Sequence, residues 1–321
     1  MNVSKQVTSM EDATVNNKMN WQQIFVASFK GISQVGFIEN TITGILFLLA
    51  ITIVSPLLAV VAWLSSLIAV LIGIAGKADE KLIRQGLLSF SPVLTGMALT
   101  LFLTGPYYWI IALLGAAVTT LFAAAMMHFM RNTDIPILTF PFIVVSWSTL
   151  LASYQFETIQ LSSSLSPQNL SHFILTTEDS ISWFQATLNG FGQVFFLKNF
   201  ISATLVFIGL FFAGWQFGIF ALIGNLFAML TAFVLGGSRD LIQAGLYGFN
   251  AILTILAVAI VFKGANSRLS FIIGIIGACL SVPLTATITT LLVPYGLPTF
   301  TMPFVLCTWM LLGARKIFLR F

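Results

Sequence analysis

The chain has 321 residues, of which 58% are hydrophobic and only 7% charged, with a mean hydropathy of +1.00. Soluble domains carry about 25% charged residues and about 45–50% apolar ones, and a soluble chain of this length leaves too much surface in water to hide such an apolar excess. These figures exclude a water-soluble enzyme, a secreted disulfide scaffold and a disordered chain, and predict an all-α polytopic membrane protein.

Residues 1–20 are polar and mixed in charge, without the apolar centre or cleavage pattern of a signal peptide, and read as a mobile cytoplasmic tail. About twenty apolar residues cross a bilayer as one helix. Apolar stretches near 24–54, 56–76, 87–104, 108–130 and 135–152 therefore read as five spans of a first unit, 21–152. A polar extracytoplasmic connection, 153–185, follows. Stretches near 186–213, 216–235, 245–262, 270–292 and 297–314 read as five more spans, in a second unit over 186–314, ahead of a basic cytoplasmic tail at 315–321. The first stretch of each unit is interrupted by a polar cluster, around 34–40 and 193–199, which predicts broken helices.

Basic residues test this count, because cytoplasmic loops are enriched in Lys and Arg. With the N-terminus inside, Lys77, Lys81, Arg84, Arg131, Lys263, Arg268, Arg315, Lys316 and Arg320 fall on the cytoplasmic side. The outer side receives Arg239, and its long central loop carries Glu157, Glu178 and Asp179 instead. The asymmetry agrees with ten spans and both termini in the cytoplasm.

The halves resemble each other at a nearly fixed offset. GISQVGFIEN (31–40) matches GFGQVFFLKN (190–199), and LIRQGLLSF (82–90) matches LIQAGLYGF (241–249), both 159 residues apart. IPILTFPFIVVSW (135–147) matches LPTFTMPFVLCTW (297–309) at 162. Five spans is an odd number, so the second unit must enter the membrane upside down: a 5+5 inverted repeat. Inverted repeats with interrupted helices typify transport proteins, whose sites lie near the bilayer midplane.

The repeated L-P-x-x-T-x-P-F pattern, whole in LPTFTMPF (297–304) and nearly whole in IPILTFPF (135–142), resembles the signature of the urea transporter family. SQVGFIENTITGILFL and GLYGFN (245–250) resemble that family too, in the expected order, over roughly 21–314. The resemblance implies a bacterial member in the plasma (inner) membrane, with a central pore through each protomer of a homotrimer and passive, channel-like conduction of urea. By motif it implies pore residues Gln34, Val35, Phe37, Phe90, Leu94 and Thr139 in the first half, and Gln193, Val194, Phe196, Phe249, Leu253 and Thr301 in the second. Some family members carry a carboxylate at one of the Gln positions, where this chain has Gln twice. GLLSFS (86–91) departs from the GLYGFN pattern and leaves the role of Ser91, opposite Asn250, open.

These residue types suit urea. Stripping an amide of water without replacement costs roughly 4–8 kcal/mol in an apolar medium, so a pore must supply acceptors yet bind weakly enough for release. Gln34 and Gln193 offer side-chain oxygens, the broken helices free backbone carbonyls, and Thr139 and Thr301 add hydroxyls at the centre. Phe37 with Phe90, and Phe196 with Phe249, are expected to form two slots that admit a planar solute. The proposed set holds no charge, so a desolvated ion lacks a countercharge. The alternative cargoes are ammonia, water, formamide and acetamide; a non-conducting scaffold and an intramembrane enzyme are the other classes.

Other chemistry is thin. Cys279 and Cys307 lie in apolar runs and read as packing residues; His128 and His172 lack partners at metal-ligand or triad spacing. No metal, cofactor or nucleic-acid partner is expected. Glu39 and Lys198, equivalent positions of opposite charge, read as interfacial anchors, as do Trp109, Trp147, Trp215 and Trp309.

Overall fold

A computed structural model describes residues 19–170 and 180–318. Most of the expected tail at 1–20, together with His172, Glu178, Asp179 and Arg320, lies outside these residues. The first half comprises α1 (Trp21–Ser33), α2 (Thr41–Val54), α3 (Pro56–Ala75), α4 (Glu80–Arg84), α5 (Phe90–Phe102), α6 (Tyr108–Met130) and α7 (Phe140–Ala152). The second runs through α8 (Trp183–Gln193), α9 (Phe200–Ala213), α10 (Trp215–Val234), α11 (Arg239–Gln243), α12 (Gly248–Leu256), α13 (Ser267–Leu292) and α14 (Met302–Ile317). Each half thus has the same element order. The connection contributes strand β2 (Gln160–Leu161), which pairs antiparallel with β1 (Leu103–Thr104) at the end of α5.

Among the described residues four helices are long and apolar enough to cross a membrane singly: Pro56–Ala75, Tyr108–Met130, Trp215–Val234 and the run Ser267–Tyr295. The stretch at 24–54 is broken as expected: it bends by 76° between Trp21–Gly36 and Thr41–Val54. The second half breaks at the matching place, between α8 and α9. The Asn40 and Asn199 side chains cap the restarting helices, each accepting from two backbone N–H groups.

Helix breaking goes further than the sequence reading allowed. The stretches at 87–104 and 135–152 hold helices of only 13 residues, about 20 Å long against a hydrocarbon layer of about 30 Å. The turns that precede them are the cause. Gly86 (φ +74°) and Leu138 (φ +50°) adopt left-handed backbone, and Gly245 (φ +75°) and Phe300 (φ +50°) repeat it in the second half. Phe37 and Phe196, and Lys77 and Gly236, form further left-handed pairs at the same offset of 159. The left-handed residues thus fall at paired positions of the two halves.

The halves contact each other reciprocally. Trp147 Nε1 donates to Pro298 O at 2.9 Å, while its counterpart Trp309 Nε1 donates to Pro136 O at 2.8 Å. Residue i meets j and j meets i, as across a two-fold axis. The expectation that these two Trp are interfacial anchors is therefore corrected: half-buried, they tie the halves together because an indole N–H inside an apolar protein needs an acceptor. Trp109 and Trp215 remain exposed. Helix α2 packs on α9, and the Phe47 ring of α2 also meets Phe195, in the break between α8 and α9, at 4.9 Å and a tilted angle in the core. Gly209 makes room, since a Cβ there would lie 2.6 Å from the Phe47 ring.

Gly86 and Gly245 differ from Gly236 in what surrounds them. A Cβ on Gly86 would lie 2.4 Å from Gly31 N and one on Gly245 2.3 Å from Gly190 N, whereas nothing lies within 4 Å at Gly236 (φ +71°). Gly86→Ala and Gly245→Ala should each destabilise the purified protein by about 3 kcal/mol or more, from dihedral strain plus backbone overlap. Gly236→Ala should cost only about 1 kcal/mol, the strain alone; thermal unfolding in detergent reads the difference.

Candidate functional site: a duplicated break lined by Gln, Phe and Thr

The site grows out of the helix breaks. After α1 a single 3-10 turn (Gln34–Gly36) leads into Phe37, a left-handed residue at φ +63°; Phe196 ends the corresponding turn at φ +59°. Left-handed backbone costs an L-residue roughly 1–2 kcal/mol, and such strain collects where function requires a particular side-chain direction. Leu138 and Phe300, each immediately before a predicted site Thr, carry the same strain. Sequence reasoning missed these two, because nothing in their residue types marks a conformation usually held by Gly.

Each break binds its Gln in the same way. Gln34 Nε2 donates to Gln85 O at 2.9 Å, and Gln193 Nε2 donates to Ala244 O at 3.0 Å. A carbonyl can only accept, so each bond fixes the amide nitrogen on that side and turns Oε1 to the other. The acceptor carbonyls directly precede Gly86 and Gly245, which links the two tight turns to the orientation of the two amides. Both Gln side chains are buried.

The two Thr meet. Thr139 Oγ1 and Thr301 Oγ1 lie 2.6 Å apart, both buried, at the ends of the left-handed turns that start α7 and α14. One hydroxyl donates to the other, so the pair retains a hydrogen to give and lone pairs to receive. Asn250 holds the second-half turn at two points: its Nδ2 donates to Phe300 O (3.3 Å) and its Oδ1 accepts from Phe304 N (3.2 Å). Ser91, its counterpart, reaches only Leu138 O, at 3.5 Å. The Ser91 position is thus a weaker version of the same clamp.

Aromatic rings surround the breaks. Phe37 meets Phe304 edge-on at 5.8 Å and Phe262 at 6.5 Å; Phe196 meets Phe142 at 6.3 Å and Phe102 at 6.2 Å. Gln193, Phe196, Phe249 and Phe300 line a cavity of about 960 Å³ that also runs along Thr285 and Thr289 of α13. Gln34, Phe37 and Phe90 do not line it. Thr139 and Thr301 lie outside its walls as well, with Thr301 adjoining the lining residue Phe300. Val35, Val194, Leu94 and Leu253 are buried in the shared core. Of the expected set, Gln193, Phe196 and Phe249 thus line this cavity, Thr301 adjoins it through Phe300, and Thr139 touches Thr301.

Charge stays at the rims. Lys198 is the only charged residue among the cavity walls, and it is exposed. Its counterpart Glu39 is paired with Lys30 at 2.7 Å and accepts from Gln85 Nε2 at 3.0 Å, so it braces the residue whose carbonyl orients Gln34. Among the described residues no cluster of His, Cys, Asp or Glu is placed to hold a metal ion.

Comparison with known proteins points the same way as these paired features. Residues 25–316 match the family described as "UT: Urea transporter". The chain is similar to urea transporter 1 of Ovis aries, 24% identical over 295 residues, which cover 88% of this chain and 75% of that protein. It is similar to urea transporter 1 of Capra hircus (23% over 295 residues) and of Rattus norvegicus (24% over 288 residues), with the same coverage. With a match that spans nearly the whole of both halves, this chain is an integral membrane protein and belongs to the urea transporter family.

Proposed function

We propose that the protein carries urea passively across the plasma membrane of a bacterium, through a pore in each protomer of a homotrimer. In this reading ten membrane crossings form a 5+5 inverted repeat, α1 and α8 being the broken leading segments, and both termini face the cytoplasm. The cavity beside Gln193 is the outer vestibule, and the break at Gln34 forms its inner counterpart. Membership of a transport family sets the enzyme alternative aside.

The observations that support this reading are the hydrogen-bonded Thr139–Thr301 pair, one Thr from each half, and the Gln of each break held in the same way. Urea has four N–H donors and one carbonyl. Along such a path it meets a Gln oxygen, the Thr hydroxyls and then the second Gln oxygen, so that its water is replaced stepwise rather than lost at once. Phe196 and Phe249 present ring faces and edges at the outer cavity, which favours a flat solute over a bulky one. With Lys198 the one charged residue among the cavity walls and Glu39 paired with Lys30, an ion crossing between the two Gln would be desolvated without a free countercharge.

Three outcomes test this. Proteoliposomes carrying the purified protein should equilibrate urea faster than bare lipid in stopped-flow light scattering, with no dependence on a sodium or proton gradient. Formamide, acetamide, ammonia and water in the same assay separate the alternative cargoes, and urea flux equal to that of bare lipid would refute the proposal. Thr301→Val keeps the shape but leaves Thr139 Oγ1 without its partner; urea flux should fall about tenfold, the effect of one lost hydrogen bond of about 1–1.5 kcal/mol, while the protein stays folded. Phe249→Ala should raise the flux of bulkier substituted ureas relative to urea. A scaffold without a pore would show a loss of stability and no change in that ratio.

A further inference from the structure

The halves differ at one place the sequence match passes over. Helix α5 ends at Phe102, whose ring meets Phe196 edge-on at 6.2 Å. At the offset of 159 the counterpart of Phe102 is Val261, yet the ring that meets Phe37 in the equivalent way, edge-on at 6.5 Å, belongs to Phe262. The cause is a turn of π-helix. After α12 the chain runs through Ala257–Val261 as a π-helical segment, closed by Phe262 N donating to Ala257 O at 2.8 Å. A π turn holds one residue more than an α turn between bonded groups, so it rotates Phe262 into the direction that Phe102 takes in the first half.

Something must hold such a turn. In the first half Phe102 O accepts from Ser162 N of the connecting segment, at 2.9 Å. In the second half Phe262 O accepts from Arg315 Nη1, while Arg315 Nη2 donates to Val258 O at 3.1 Å. One guanidinium therefore grips both ends of the π turn, which its rigid fork of donors allows and a lysine ammonium does not. At the offset of 162 the counterpart of Arg315 is Ser153, whose hydroxyl bonds its own helix at Leu150 O. The π turn and the arginine occur together in the second half. Arg315 has no ion-pair partner among the described residues, and its buried Nε has no hydrogen-bond partner there.

We propose that Arg315 is a positioning residue for transport: it pins the π turn at 257–261 so that the Phe262 ring backs Phe37 and narrows the inner slot. This rests on the transport reading above. Without the guanidinium, the carbonyls of Val258 and Phe262 lose their donors, the turn relaxes toward α-helix, and Phe262 leaves Phe37.

The test is the ratio of urea to N-methylurea flux in proteoliposomes of wild type, Arg315→Met, Arg315→Lys, Phe262→Ala and the Arg315→Met/Phe262→Ala double variant. Arg315→Met and Phe262→Ala should each lower the ratio about threefold or more, and the double variant should match Phe262→Ala, since residues acting as one unit do not add. Arg315→Lys keeps the charge and should behave like Arg315→Met; it carries the comparison if that variant fails to assemble. A merely structural arginine would lower yield and all fluxes alike and leave the ratio intact. An unchanged ratio, or effects that simply add, would overturn the inference while the transport reading stands. Wild-type protein that moves urea no faster than bare lipid would overturn the transport reading and this inference with it.

Discussion

A helix that stops inside the hydrocarbon leaves backbone N–H and C=O groups with no water to receive them, and the architecture of this chain answers that constraint repeatedly. Its leading apolar stretch and the helices at 90–102 and 140–152 stop or start short of a full crossing. Each break is then closed by a side chain: Asn40 and Asn199 cap restarting helices, Asn250 takes up Phe300 O and Phe304 N, and the two Gln amides take up Gln85 O and Ala244 O. The polar atoms left over, the Gln oxygens and the Thr hydroxyls, are the ones a neutral, hydrogen-bonding solute needs. In the proposed transport reading, satisfying the backbone and lining a path for urea are one operation.

The doubling supplies what a single half lacks. One half holds a break and a lone Thr; the two halves in reciprocal contact bring the Thr pair together at 2.6 Å. Trp147 and Trp309 enforce the meeting by donating across the boundary to Pro298 O and Pro136 O, in the turns that carry Thr301 and Thr139 respectively. Because these bonds run both ways, a shift of one half displaces both turns together, so the pair keeps its geometry or loses it as a whole.

The apolar stretches, the polar interruptions and the duplication were all legible in the residues, because hydropathy and paired motifs report burial and backbone kinship directly. That Gln34 matches Gln193 and Thr139 matches Thr301 was legible through the same pairing. What escaped was conformation carried by residues that do not advertise it. Leu138 and Phe300 hold left-handed backbone that sequence rules assign to Gly or Asn, and the turns before 90 and 140 cut two apolar runs that hydropathy reads as whole. Two indoles that composition places at the membrane surface instead bridge the halves. The π turn escaped for a stricter reason: Gly105 and Gly264 keep the 159 offset on its far side, so the alignment is uninterrupted while the helix within it is rotated.

Departures from symmetry then separate the two halves in stiffness. In the second half Asn250 clamps its turn at two points and Arg315 clamps the neighbouring π turn at two more; in the first, Ser91 makes one long bond to Leu138 O and the chain end at Phe102 is held by a loop N–H. Buried two-point clamps leave fewer alternative arrangements than single bonds, and each unmade bond in such a place is costly. The turn that carries Thr301 is therefore the more firmly held of the two, and the turn that carries Thr139 the more compliant.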